Sequence, residues 1–89
     1  MKYVFVQIRC RPGTTYKVAD AIYLQEQFLE LYSTSGDFDL LLKINMPENG
    51  DVGKYINDTL HDIDGVERTL TTLTFQAFHV PDNTNVAAR

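Results

Sequence analysis

From Lys2 to Cys10 the chain reads KYVFVQIRC, and its residues alternate without a break: Val4, Val6, Ile8 and Cys10 point one way, Tyr3, Phe5, Gln7 and Arg9 the other. Successive side chains of an extended strand project to opposite faces, so this period of two specifies a β-strand. The aliphatic face suits a core covered by helices. Tyr3 and Phe5 put apolar surface on the second face as well, which implies that this face is covered too, with another subunit as the expected cover.

The period then changes. Arg11, Pro12 and Gly13 break the strand, and Thr14 or Thr15 is placed to cap a helix through its hydroxyl. Val18, Ala21, Ile22 and Gln25 follow helical spacing and give one apolar stripe. After the polar stretch to Gln27, Phe28, Glu30 and Tyr32 oppose Leu29, Leu31 and Ser33 in a second strand. Gly36 and Asp37 supply a tight two-residue connection, and Asp39 to Asn45 forms a third strand with Leu40, Leu42 and Ile44 on one face.

Pro47 and Gly50 mark a loop. Asp51 is the expected N-cap of a second helix reaching about Asp62, with Val52, Tyr55, Ile56, Leu60 and Ile63 at helical spacing. Gly53 weakens its start by ~1 kcal/mol relative to Ala. Gly65 is expected to end it in a left-handed conformation. The run ERTLTTLTFQAFHV, from Glu67 to Val80, favours a long last strand, with an excess that can cross to a neighbouring subunit. Pro81 stops it, and residues 81–89 read as a frayed tail after a domain over residues 1–80.

The order βαββαβ, with right-handed crossovers, predicts an α+β ferredoxin-like fold: a four-stranded antiparallel sheet with both helices on one face. The other face is left bare, and a face-to-face homodimer is the economical way to cover it. A chain of 89 residues holds one such core, and a domain this small buries only ~60–65% of its unfolded surface, so self-association helps it.

Charge and cysteine usage narrow the function. A net charge of −4 with no dense basic cluster argues against direct nucleic-acid binding, which needs phosphate-neutralising Lys and Arg. The single Cys10 forms no intrachain disulfide and fits a reducing compartment. The alternating start is no secretory signal and no apolar run approaches the ~20 residues of a membrane span, so a soluble, cytoplasmic protein is expected. Cys10, His61 and His79 are isolated, without metal-ligand spacing, and there is no phosphate-binding glycine loop and no nucleophile elbow. No metal, cofactor or catalytic residue is expected. Cys10 fills core space, His61 is a solvated, acid-flanked helix residue, and His79 belongs to a strand surface or interface.

The densest polar constellation is Thr34, Ser35, Gly36, Asp37, Phe38 and Asp39, between strands two and three. Structurally, Gly and Asp are simply good turn residues. Functionally, a glycine turn exposes N–H groups that can hold a carboxylate, and nearby Asp carboxylates can pair with an ammonium, a combination suited to the head of a free amino acid.

STSGDFDLLLKI, followed about 20 residues later by DGVERTLT, closely resembles the effector-binding domain of the Lrp/AsnC transcription regulators. The resemblance runs from Lys2 to about Val80 and rests on Arg11-Pro12-Gly13, Ser35-Gly36-Asp37-Phe38-Asp39, Asp64-Gly65-Val66 and Thr69-Leu70-Thr71. It implies sheets paired face to face as a dimeric α/β barrel, and dimers assembled into rings, commonly of eight chains. It also implies an amino-acid effector held between dimers. Ser35, Gly36, Asp37, Phe38 and Asp39 would form the turn side of that site, with Asp39 on the ammonium, and Thr69 and Thr71 the strand side. Family regulators carry an N-terminal helix-turn-helix domain, for which a first strand starting at Tyr3 leaves no room, and Asp64 replaces the family's proline. The resemblance therefore points to a stand-alone effector-binding module that modulates transcription indirectly, with a full-length regulator of the family as a further partner.

Two other classes stay open. Small dimeric α/β-barrel monooxygenases and isomerases share this strand order, and for them His79, His61 or Asp39 should face an enclosed pocket. A purely structural assembly domain is the other, since fold alone does not choose function.

Overall fold

A computed structural model describes residues 2–25 and 28–78. Its elements run β1 (Lys2–Cys10), α1 (Thr15–Tyr23), β2 (Phe28–Ser33), β3 (Leu40–Met46), α2 (Val52–Tyr55) and β4 (Val66–Leu73), with a π-helical stretch over Ile56–Leu60 continuing α2. The strands form one antiparallel sheet in the order β2-β3-β1-β4, the ferredoxin-like arrangement. Val4, Val6, Ile8 and Cys10 of β1 and Leu40, Leu42, Ile44 and Met46 of β3 are buried in one cluster with Val18 and Ile22 of α1 and with Ile56 and Leu60. The period of two in the central strands and the helical stripes thus meet in one core between sheet and helices.

Among the described residues the opposite face carries no helix. Pairing of Phe5 with Lys43 and Thr72, and of Gln7 with Leu41 and Leu70, places these residues on it together with Tyr3. Leu70 is 48% exposed there, while the Lys43 ammonium lies 4.4 Å from the Tyr3 ring centre and 3.5 Å from Glu30 Oε2.

Several local expectations change. Thr14 precedes α1 but its hydroxyl makes no cap bond; it donates to the Arg11 carbonyl at 2.7 Å, closing the Pro-Gly turn instead. The alternation of β2 is interrupted: the register with β3 shifts between Phe28 and Glu30, so Phe28 and Leu31 both pack on the core. Leu29 is the extra residue of a β-bulge. The β2–β3 connection is not a tight two-residue turn. It spans residues 34–39, closed by Thr34 N–H donating to the Asp39 carbonyl at 2.9 Å, with Gly36 at φ 98°.

Asp51 caps α2 as expected, accepting from Lys54 N–H at 3.0 Å. The second helix does not stay α-helical to Asp62, because it widens to π geometry from Ile56, where His61 N–H bonds the Ile56 carbonyl at 3.1 Å. Gly65 does adopt a positive φ, of 108°. β4 stops at Leu73, short of the long strand expected, and Thr74 turns its hydroxyl onto the Tyr3 carbonyl at 2.5 Å. Val80, His79 and the tail over residues 81–89 lie outside the described residues.

Candidate functional site

Asp39 stands just before β3, where β1 is ending. Its N–H donates to the Ile8 carbonyl at 2.8 Å, and its Oδ2 accepts from Cys10 N–H at 2.7 Å. The carboxylate thus prolongs the β1–β3 ladder by one step and is held rigidly, one oxygen committed to the backbone. Two clefts that share Gly13, Thr15 and Asp39 as walls open around it. One, of about 390 Å³, extends past Tyr16 and Thr34; the other, of about 340 Å³, extends past Gly36, Asp37 and Glu67.

Charge of both signs surrounds the second cleft. Arg9 Nε lies 3.8 Å from Glu67 Oε1, and its Nη1 is 3.5 Å from the Asp37 carbonyl. Asp37, Asp39 and Glu67 outnumber Arg9, so the rim favours a group bearing positive charge. Cys10, also on this wall, is 5% exposed, and burial, with the Asp39 charge second, pushes its thiol above its ordinary pKa. It is a poor nucleophile.

Of the five turn residues read from the sequence, Gly36, Asp37 and Asp39 line these clefts, whereas Ser35 and Phe38 line neither. Phe38 is half-buried with the Arg68 guanidinium 5.6 Å from its ring centre. Gly13, Thr15, Arg9 and Glu67 also line these clefts, and sequence reasoning treated them as a strand breaker, a cap, and strand ends. Only the Pro-Gly motif of the family resemblance hinted at them.

Thr69 and Thr71 lie elsewhere. Paired with Ile8 and Val6, they share the helix-covered face of the sheet, at its β4 edge. A third cleft, of about 440 Å³, separates β4 from the second helix, with Thr71 and Leu73 on one wall and Val52, Ile56, Asn57 and His61 on the other. Thr69 Oγ1 is 3.0 Å from His61 Nε2. His61 is exposed, but it faces β4 rather than only its acidic helix neighbours. Within one chain, therefore, the turn residues and the strand threonines are not brought together. Among the described residues no group of three or more His, Cys, Asp or Glu side chains is placed to hold a metal, and no helix is long and apolar enough to cross a membrane.

Residues 3–80 match the family model of the Lrp/AsnC ligand binding domain. The HTH-type transcriptional regulator FL11 of Pyrococcus abyssi is 30% identical over 69 residues, which cover 78% of this chain and 45% of that protein. An uncharacterised HTH-type transcriptional regulator of Pyrococcus furiosus, PF0250, is 36% identical over 74 residues, covering 80% of this chain and 49% of its own. The chain thus spans about half the length of these regulators. Among solved structures, TTHA0845 from Thermus thermophilus superposes with a TM-score of 0.83 at 30% identity, covering 90% of this chain and all (100%) of that one. AsnC of E. coli gives a TM-score of 0.83 at 15% identity over 91% of this chain and 55% of its own. The transcriptional regulator NMB0573 of Neisseria meningitidis, solved as a complex with L-Met, gives 0.80 at 15% identity over 99% of this chain and 59% of its own. With its family model matched over nearly the whole chain and its fold that of AsnC, this chain belongs to the Lrp/AsnC ligand-binding-domain family.

Proposed function

We propose that this domain is a non-enzymatic module that binds a free amino acid at a site shared between subunits and passes that state to a transcription regulator. The observation that carries the reading is Asp39: a carboxylate fixed by Cys10 N–H through Oδ2, walled into two open clefts, with a glycine loop beside it. Such a group suits an ammonium, and the surrounding loop and Arg9 suit a carboxylate. Thr69 and Thr71 supply hydroxyls from a second subunit, since in one chain they lie away from the turn. The pairing surface is the bare sheet face with Tyr3, Phe5 and Leu70, and dimers build the ring, of eight chains or similar, that brings turn and strand together. The regulator that responds is a full-length member of the same family or a co-assembled partner. The L-Met bound by NMB0573 supports the ligand class.

Thermal melts with each of the twenty amino acids test this. Occupancy at 100 times the dissociation constant adds ~2.7 kcal/mol, and Asp39→Asn, which keeps an acceptor for Cys10 N–H while removing the charge, should abolish the response without changing oligomer size. If no amino acid shifts the melt, the ligand reading is wrong. Loss of the oligomer in the same variant would favour a scaffold instead.

One observation favours the enzymatic reading: His61 lines a cleft of a single chain. Its ring partner is the Thr69 hydroxyl and not a carboxylate that would orient it for acid–base work. A binder leaves its ligand unchanged, so NMR of the stabilising compound after hours with the protein decides between the two classes.

A further inference from the structure

The end of β1 meets β4 at an irregular step. Arg9 pairs with Arg68 but Cys10 pairs with Val66, so Glu67 is the extra residue of a β-bulge. With regular pairing, the period of two would put Glu67 on the helix-covered side with Thr69 and Thr71. A bulge re-aims a side chain, and this one brings the Glu67 carboxylate to Arg9, with Oε1 3.8 Å from Nε. The contact offsets an unfavourable pairing, because two arginines stand opposite each other across the strands. Arg68 lies against the Phe38 ring, 5.6 Å from its centre.

A second ion pair stands on the other side of Cys10. The Arg11 guanidinium forks onto the Asp64 carboxylate, Nη1 to Oδ1 at 3.4 Å and Nη2 to Oδ2 at 3.3 Å, and the Arg11 N–H donates to the Gly65 carbonyl at 2.7 Å. Asp64 stands where the family resemblance leads one to expect proline, which could form no such fork. Cys10 is therefore flanked by two arginines, each tied to a carboxylate of segment 64–67, and it gives its own N–H to Asp39 Oδ2 on the β3 side. The four charged side chains are about half exposed or more, so the pairs contribute little to global stability. Their effect is local, on the one strand end they bracket.

We propose that Glu67 and Asp64 are positioning residues of the turn site: through Arg9 and Arg11 they fix the end of β1, and through the Cys10 N–H that strand end fixes the direction of the Asp39 carboxylate. The inference rests on the reading of Asp39 as the ammonium-binding group and specifies what holds it in place.

Hydrogen exchange of individual amides, followed by NMR on the intact oligomer without added ligand, tests the assignment. With Asp64→Asn and Glu67→Gln combined, both close to isosteric, the Cys10 amide should exchange about 5-fold faster or more, the effect expected of two exposed ion pairs acting on one strand end. The amides of Val6 and Leu42, in the centre of the sheet, should keep their rates. Raising sodium chloride to 1 M should speed Cys10 exchange in the unaltered protein and leave the double variant as it was, because salt screens only pairs that are present. Arg11→Asp combined with Asp64→Arg, which re-forms the pair with its charges exchanged, should restore the protection lost in Asp64→Arg alone. Unchanged protection of Cys10 in the Asn/Gln variant would overturn the inference. So would a loss shared equally by Val6 and Leu42, which would report general destabilisation. Exchange is read without ligand, so this failure is separate from that of the amino-acid reading, which the thermal melts decide.

Discussion

Gly36 and Gly65 both hold positive φ, of 98° and 108°, yet their surroundings differ. A Cβ on Gly36 would meet nothing within 4 Å, whereas one on Gly65 would sit 2.7 Å from Thr14 Oγ1 and 2.8 Å from Val18 Cγ2. Gly36→Ala should therefore cost only the conformational strain, ~1 kcal/mol, and Gly65→Ala that strain plus overpacking, ~3 kcal/mol in all. Urea midpoints measured at unchanged m-value separate the two. The Gly65 carbonyl also accepts from Arg11 N–H at 2.7 Å, so the same position locks the Pro-Gly turn beside the candidate site to the start of β4. Cys10 gives a pH dependence. Burial raises its thiol above its ordinary value in the folded chain, so the unfolded chain ionises first. Its contribution to stability is complete below the unfolded pKa and is lost as pH rises through the folded one. The midpoint of the unaltered protein should fall more between about pH 8 and 10 than that of Cys10→Ala, and equal falls would refute the assignment.

At the level of elements, the bulge in β2 has an energetic consequence. Leu31 packs on the core, while Leu29, its neighbour in the expected alternation, is 41% exposed. Leu31→Ala should cost ~2 kcal/mol or more and Leu29→Ala less than ~0.5 kcal/mol, a contrast that a regular strand would not give, since both leucines would share one face. The cap of α2 is a second case. Asp51→Ala removes the bond from Lys54 N–H and should lower stability by ~1 kcal/mol. The helix it starts carries Val52, Ile56 and Asn57, which line the cleft beside β4, and a lower melting temperature of the variant checks the cap. The Asp51 cap and the period of the central strands were legible because both depend on residues close in sequence. The bulge was not, because β2 gains by turning Phe28 and Leu31 together toward Ile44 and Leu42, a preference set by the partner strand.

The whole molecule presents one sheet face to α1 and α2 and leaves the other to be covered. On the uncovered face the Lys43 ammonium is already met by the Glu30 carboxylate and the Tyr3 ring, and its side chain is only 15% exposed. A face so neutralised can close against its own copy without stranding a charge. Leu70→Lys, which places an unpaired ammonium on each copy at that face, should shift the protein toward monomers in sedimentation experiments and make its melting temperature less dependent on concentration. Retention of the full assembly would move the pairing surface elsewhere. Because the turn at Asp39 and the cleft at Thr71 lie apart in one chain, the shared site proposed above requires the same variant to lose the response to an amino acid, although neither region is altered.

The order of elements, the aliphatic face of each central strand, the Asp51 cap and the left-handed Gly65 followed from sequence, because alternation, helical spacing and glycine's conformational freedom are local properties. The turn stood out as a polar constellation of glycine and carboxylates, and its reading as an effector site came through the family resemblance. Tertiary structure alone decided that Asp39 spends one oxygen on Cys10, that Arg9 and Glu67 stand beside it, and that the last strand turns Thr69 and Thr71 toward the second helix and His61. Each of those outcomes depends on which strand lies next to which and in what register, and none is written in the spacing of any one segment.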